Sequence, residues 1–91
     1  MTEARYDYVR DFLRAEGGSA IESFRDALSP RERLLLKLLY EPDDSGRFRT
    51  IDEIWKDFGA PKERLRAIER AAVRRIHRAM RNPASRNYLV D

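Results

Sequence analysis

Thr50-Ile51-Asp52-Glu53-Ile54-Trp55-Lys56-Asp57-Phe58-Gly59-Ala60-Pro61-Lys62-Glu63-Arg64-Leu65-Arg66-Ala67-Ile68-Glu69 reads as two helices joined by a tight turn. Thr50 and Glu53 have the spacing of a capping box, which opens a helix by satisfying its first amides. Gly59 supplies the turn residue that closes it. A second helix begins near Pro61 or Lys62. This order is that of a helix-turn-helix, which lays its second helix in the major groove of DNA.

Downstream, Leu65, Ile68, Ala72 and Ile76 recur at steps of three and four and mark an inner face. Asn82-Pro83 is a stop signal, so the helix is expected to run to about Arg81. From Lys62 to Arg81 there are eight Lys/Arg against Glu63 and Glu69. With the apolar face inward, Lys62, Glu63, Arg66 and Arg70 share an outer face. Arginine there can read guanine edges with two hydrogen bonds, and Glu63 can accept from a cytosine amino group. The helix amides and remaining cations can hold phosphates. The bland alternative is a basic amphipathic helix that solubilises the domain or docks an acidic protein.

Trp55 and Ala67 pull against base reading. The position four before the turn glycine is close to the helix crossing, and Trp55 brings on the order of 200 Å² of surface to bury. Either the crossing is wide and the core repacked, or Trp55 points into a partner. Ala67, on the exposed side next to Arg66, offers only a methyl group.

Upstream the chain also reads as helical. A first helix is expected from Glu3 to Glu16, with Tyr6, Val9, Phe12 and Leu13 on one face. Gly17-Gly18 ends it and forms a hinge. A second helix starts near Ser19 and buries Ile21, Phe24 and Leu28. Ser29-Pro30-Arg31-Glu32 combines a cap, a proline at the first helical position and a closing glutamate. The third helix carries Leu34, Leu35, Leu36, Leu38 and Leu39, apolar on most sides, and is expected to run through the core. Glu41-Pro42-Asp43-Asp44-Ser45-Gly46 is a solvated loop without the ligand spacing of a calcium loop. Tyr88, Leu89 and Val90 suggest a last short turn. The fold class is therefore all-α: a small bundle of about five helices with a C-terminal helix-turn-helix. It divides into residues 1–18 (helix and hinge) and 19–91 (helix-turn-helix domain).

Ninety-one residues fit one small domain. There is no cysteine, hence no disulfide and no thiolate metal site. No apolar run approaches the ~20 residues of a membrane span. Residues 1–46 carry 7 Lys/Arg and 10 Asp/Glu, while residues 47–91 carry 12 and 6. A basic second half is the electrostatic footprint of a nucleic-acid face. His77, the sole histidine, has no ligand at helical spacing and no nucleophile nearby. No metal, cofactor or catalytic residue is expected, and the chain is not read as an enzyme. The Tyr6–Leu13 stripe has two readings: core, or an exposed seam for a second copy or a regulatory protein.

The stretch from about Ser19 to Asp91 resembles region 4, the C-terminal promoter-recognition domain of bacterial primary sigma factors. The resemblance rests on Leu28-Ser29-Pro30-Arg31-Glu32-Arg33, Arg49-Thr50-Ile51-Asp52-Glu53-Ile54, Lys62 through Glu69, Ala72-Val73-Arg74-Arg75-Ile76, and Asn82-Pro83-Ala84-Ser85-Arg86. It implies promoter DNA as a partner, with Lys62, Glu63 and Arg66 at base-contacting positions on the −35 element. It places Arg47, Arg49 and Thr50 where backbone contacts fall. It also implies docking on the β flap of RNA polymerase, with Ile21, Phe24, Leu36, Leu39 and Tyr40 as candidates; Trp55 is a further candidate partner contact on the separate ground of its volume. A cytoplasmic, nucleoid-associated location follows.

Three residues depart from that pattern. Trp55 stands where the family has a small residue, Ala67 replaces a glutamine-type side chain, and Pro61 replaces a capping Ser or Thr. Nothing resembles the sigma regions that bind the −10 element. With Met1 as native start, the chain would be a sigma-domain mimic that docks polymerase or a regulator with little DNA reading. As a cut piece, it would be one domain of a divergent sigma factor.

Overall fold

A computed structural model describes residues 6–81 of the chain. Among them are five α-helices and no strand: α1 (Asp7–Glu16), α2 (Gly18–Ser23), α3 (Pro30–Tyr40), α4 (Ile51–Phe58) and α5 (Lys62–Arg81). The expected start near Glu3, the Asn82-Pro83 stop and the Tyr88–Val90 turn lie outside the described residues.

Val9 and Leu13 are fully buried on α1, and Tyr6 is buried just ahead of it. The helix stops at Gly17, whose φ of 59° and ψ of −134° suit glycine. Its N–H donates to the Leu13 carbonyl at 2.8 Å, and its own carbonyl accepts from Ala20 and Ile21. The joint is this single residue, since Gly18 already opens α2.

The second helix is shorter than the spacing of Ile21, Phe24 and Leu28 suggests. All three are buried, but α2 ends at Ser23 and a 3-10 turn covers Arg25–Ala27. The chain must become extended before Pro30, and the tighter turn absorbs the change. Ser29 is extended, its Oγ accepts from the Glu32 N–H at 3.1 Å, and its N–H donates to Glu32 Oε1 at 2.8 Å. The predicted box is fully formed.

On α3, Leu35, Leu36, Leu39 and Tyr40 are buried, whereas Leu34 is 53% exposed. The helix thus lies at the edge of the core with one apolar side open, rather than through its middle. The following loop is organised by Asp43. Its carboxylate accepts from the Ser45 and Arg47 N–H groups and the Ser45 hydroxyl. These bonds, the Ser45 hydroxyl foremost, hold its pKa below the ordinary value. Helix α5 closes the core with Leu65, Ala72, Val73, Ile76 and Ala79, packed against the α1, α2 and α3 side chains.

Polar contacts weld α1 to this body. Arg10 donates from Nε to Glu69 Oε2 at 3.2 Å and from Nη2 to Oε1 at 3.4 Å. The Tyr40 hydroxyl donates to the same Oε2 at 2.8 Å. Tyr8 Oη lies 2.7 Å from His77 Nδ1, with the Tyr6 ring edge-on to the same imidazole. Tyr6, Val9 and Leu13 are therefore consumed inside this chain, and of the two readings of the stripe the structure shows core.

Candidate nucleic-acid interface

The turn between α4 and α5 begins at Gly59, with φ 86° and ψ 27°. Its N–H donates to the Trp55 carbonyl at 3.0 Å. A Cβ there would meet nothing within 4 Å, so the positive φ alone selects glycine. Ala60 is buried in the turn, and the Pro61 carbonyl takes the Leu65 N–H at 3.1 Å, launching α5. Glu53 accepts from the Thr50 N–H at 2.9 Å and from its hydroxyl at 3.3 Å. Arg47 adds an ion pair to Glu53 at 2.9 Å, which fixes the loop to the start of α4. The Thr50 amide, followed by Arg47, lowers the Glu53 pKa.

Lys62 and Arg66 lie one turn apart at the start of α5, and each is partly exposed. Lys62 Nζ is 3.0 Å from Asp52 Oδ1, and Arg66 Nη2 is 3.9 Å from the same oxygen. Arg66 Nη1 also meets Glu63 Oε2 at 2.9 Å. The hydrogen bond and charge of Lys62 hold the Asp52 pKa below the ordinary carboxylate value. Farther along, Arg64, Arg70, Arg74, Arg78 and Arg81 make no ion pair among the described residues. Arg75 is the exception: its Nε lies 3.3 Å from Glu32 Oε2, over the capping box of α3. The cationic side of α5 is thus largely outward, and the contacts of α1 fall at Glu69 and His77, beyond the first turns.

The two departures on this face resolve differently. Trp55 is half-buried, packs on the core rim, and has the Lys56 and Lys62 ammonium groups each 5.7 Å from its ring centroid. Its volume is taken up at the surface beside Lys62. Ala67 is exposed, as expected.

Thr50 sits at the N-cap of α4 and is exposed. Arg49 is half-buried, and its Nε is buried with no hydrogen-bond partner. Arg70 is half-buried on the same stripe as Lys62 and Arg66. The residues expected to dock a partner fare differently: Ile21, Phe24, Leu36, Leu39 and Tyr40 are at most 9% exposed. They are core, because the stripe that looks most apolar along a helix is the one the fold buries. What α3 and α4 leave open instead is a groove of about 430 Å³. Leu34, Leu38 and Phe58 line it, with Arg31, Arg49 and Asp57 at its rim. The Arg31 guanidinium stacks 5.6 Å from the Phe58 ring centroid. The sequence reading missed this groove, because it grouped Leu34 with the core leucines of α3.

An all-α helix-turn-helix with an outward basic second helix defines a DNA-binding domain. Residues 26–81 match the family Sigma-70, region 4, and the chain belongs to that family. It is 42% identical over 69 residues to RNA polymerase sigma factor SigA of Nostoc sp. (strain PCC 7120 / SAG 25.82 / UTEX 2576), covering 76% of this chain and 17% of that protein. It is 36% identical over 91 residues to SigA of Microcystis aeruginosa, covering 87% of this chain and 22% of that protein. With SigA of Clostridium acetobutylicum the figures are 39% over 64 residues, 70% of this chain and 17% of that protein. The chain spans about a fifth of the length of these relatives. No solved structure matches it significantly. The family is a DNA-binding transcription domain and not an enzyme. No described helix is long and apolar enough to cross a membrane.

Proposed function

We propose that this chain reads −35-like promoter DNA with the first turns of α5 and docks the β flap of RNA polymerase in the α3–α4 groove. The observation that supports it most is the outward face of Lys62, Glu63 and Arg66, left uncovered by α1. Arg70 extends that face along the groove of the duplex, and Arg47, Arg49 and Thr50 approach its backbone from the loop ahead of α4. Leu34, Leu38 and Phe58 offer an apolar seat for an amphipathic partner helix. Residues from Ser19 onward carry these contacts, and in the segment 1–18 it is Tyr6, Tyr8 and Arg10 that brace α5. The protein then works at the nucleoid, in the cytoplasm. Fluorescence anisotropy on −35-like and scrambled duplexes tests the DNA half. Arg66→Ala is expected to weaken binding and to narrow the difference between the two duplexes, with steep salt dependence throughout. Equal, salt-insensitive signals would remove it.

A second reading keeps the polymerase contact and drops base reading. It is favoured by the carboxylates of Asp52 and Glu63, which balance Lys62 and Arg66 one for one, and by exposed Ala67. Capture on immobilised β flap without DNA separates the two. Capture that survives charge reversal at Lys62, Arg66 and Arg70 but not Leu34→Asp favours the second.

A further inference from the structure

The tip of α5 is electrostatically self-satisfied in the free chain. One carboxylate oxygen, Asp52 Oδ1, sits 3.0 Å from Lys62 and 3.9 Å from Arg66. It belongs to the other helix of the motif, so both helices must hold their crossing for it to reach. A carboxylate that meets an ammonium and a guanidinium at once offers what a DNA phosphate offers. Arg70, Arg74, Arg78 and Arg81 have no such internal anion among the described residues, whereas Arg75 pairs with Glu32.

We propose that Asp52 is a built-in competitor for DNA, a positioning residue that occupies Lys62 and Arg66 until a duplex displaces it. This rests on the DNA-reading proposal above. Attraction to any duplex then comes first from Arg70, Arg74, Arg78 and Arg81. The tip engages by exchanging the Asp52 carboxylate for a backbone phosphate, which every duplex offers. Because the contact is broken on every duplex alike, it lowers affinity generally and leaves the preference between sequences unchanged. The Trp55 ring, one turn along α4 from Asp52, also lies near the Lys62 ammonium, 5.7 Å from ring centroid to Nζ.

The test is anisotropy with the full chain at low salt on −35-like and scrambled duplexes. The Asp52 side chain is 66% exposed, so Asn is accommodated without disturbing the core. Asp52→Asn is expected to tighten both duplexes about threefold to fivefold, the upper part of what an exposed ion pair contributes. A merely structural residue would weaken binding when changed. Asp52→Glu should retain wild-type affinity, and Asp52→Asn in a Lys62→Ala background should gain much less than in the parent. Unchanged or weaker binding by Asp52→Asn, or an equal gain with Lys62 absent, overturns the competitor role while the DNA reading stands. Absence of duplex binding by every variant, Asp52→Asn included, overturns both.

Discussion

The Tyr40 hydroxyl donates a 2.8 Å hydrogen bond to Glu69 Oε2, the oxygen that also accepts from Arg10 Nε. One carboxylate on α5 thereby joins α3 to α1. The Arg10 and Glu69 side chains are only 16% and 12% exposed, which makes the pair structural rather than a surface ornament. Arg14 stacks 5.8 Å from the Tyr40 ring centroid and closes the outer side.

Removing either partner should therefore cost stability well away from the DNA face. Tyr40→Phe deletes one hydrogen bond and is expected to lower the unfolding free energy by about 1 kcal/mol, and Glu69→Gln by about 2 kcal/mol, because the half-buried Arg10 loses its nearer carboxylate. Urea unfolding followed by helical circular dichroism reads both. Duplex affinity under folded conditions should stay within twofold.

Burial, reinforced by the Glu69 charge, pushes the Tyr40 phenol above its ordinary value. A raised folded-state value means that the neutral form is favoured in the native protein. The stabilisation is complete below the unfolded-state value near pH ~10 and is lost as pH climbs toward the folded one. Alkaline titration by tyrosinate absorbance should show a phenol component that ionises only with unfolding. Tyr40→Phe should lose that component.

At the acid end the sign reverses. Glu22, Asp43, Asp52 and Glu53 all have lowered folded-state values, from Lys37, from Ser45, from Lys62 and from the Thr50 amide respectively. Their contribution is present above the ordinary carboxylate range and disappears as pH falls through the folded values. The melting temperature should be flat from about pH 7 to 5 and drop below about pH 4. A flat profile down to pH ~3 would contradict these pairings.

Trp55 is the single tryptophan, so its emission is assigned without ambiguity. The ammonium of Lys62 lies 5.7 Å from its ring centroid, and a duplex that draws Lys62 away must change that environment. Tryptophan fluorescence should shift on addition of duplex with the same midpoint as anisotropy. The shift should shrink in Lys62→Ala.

Local signals in the sequence proved the more readable part. Ser29-Pro30-Arg31-Glu32 and Gly59 fix helix ends by backbone chemistry within a few residues, and the structure places those ends at the same residues. The basic outer face of α5 was readable for the same reason, because helical spacing sorts it from Leu65, Ala72 and Ile76. What depended on distant partners was not. The pairing of Arg10 with Glu69 spans 59 positions, and no periodicity announces it. On α3 almost every side is apolar, so the pattern could not tell buried Leu36 from open Leu34. Asp52 drew no reading of its own from the sequence, because its reach to Lys62 exists only once α4 crosses α5.

Helix α5 runs unbroken for 20 residues, from the tip at Lys62 past His77, where Tyr6 and Tyr8 meet it. At 1.5 Å per residue those two stations are about 22 Å apart, some two-thirds of a turn of B-form duplex. The helix is thus a ruler as well as a reader. Anything that grasps the molecule beside α1 is held at a preset distance from Lys62, and a kink introduced between Glu69 and His77 would change that distance while leaving the α4–α5 turn intact.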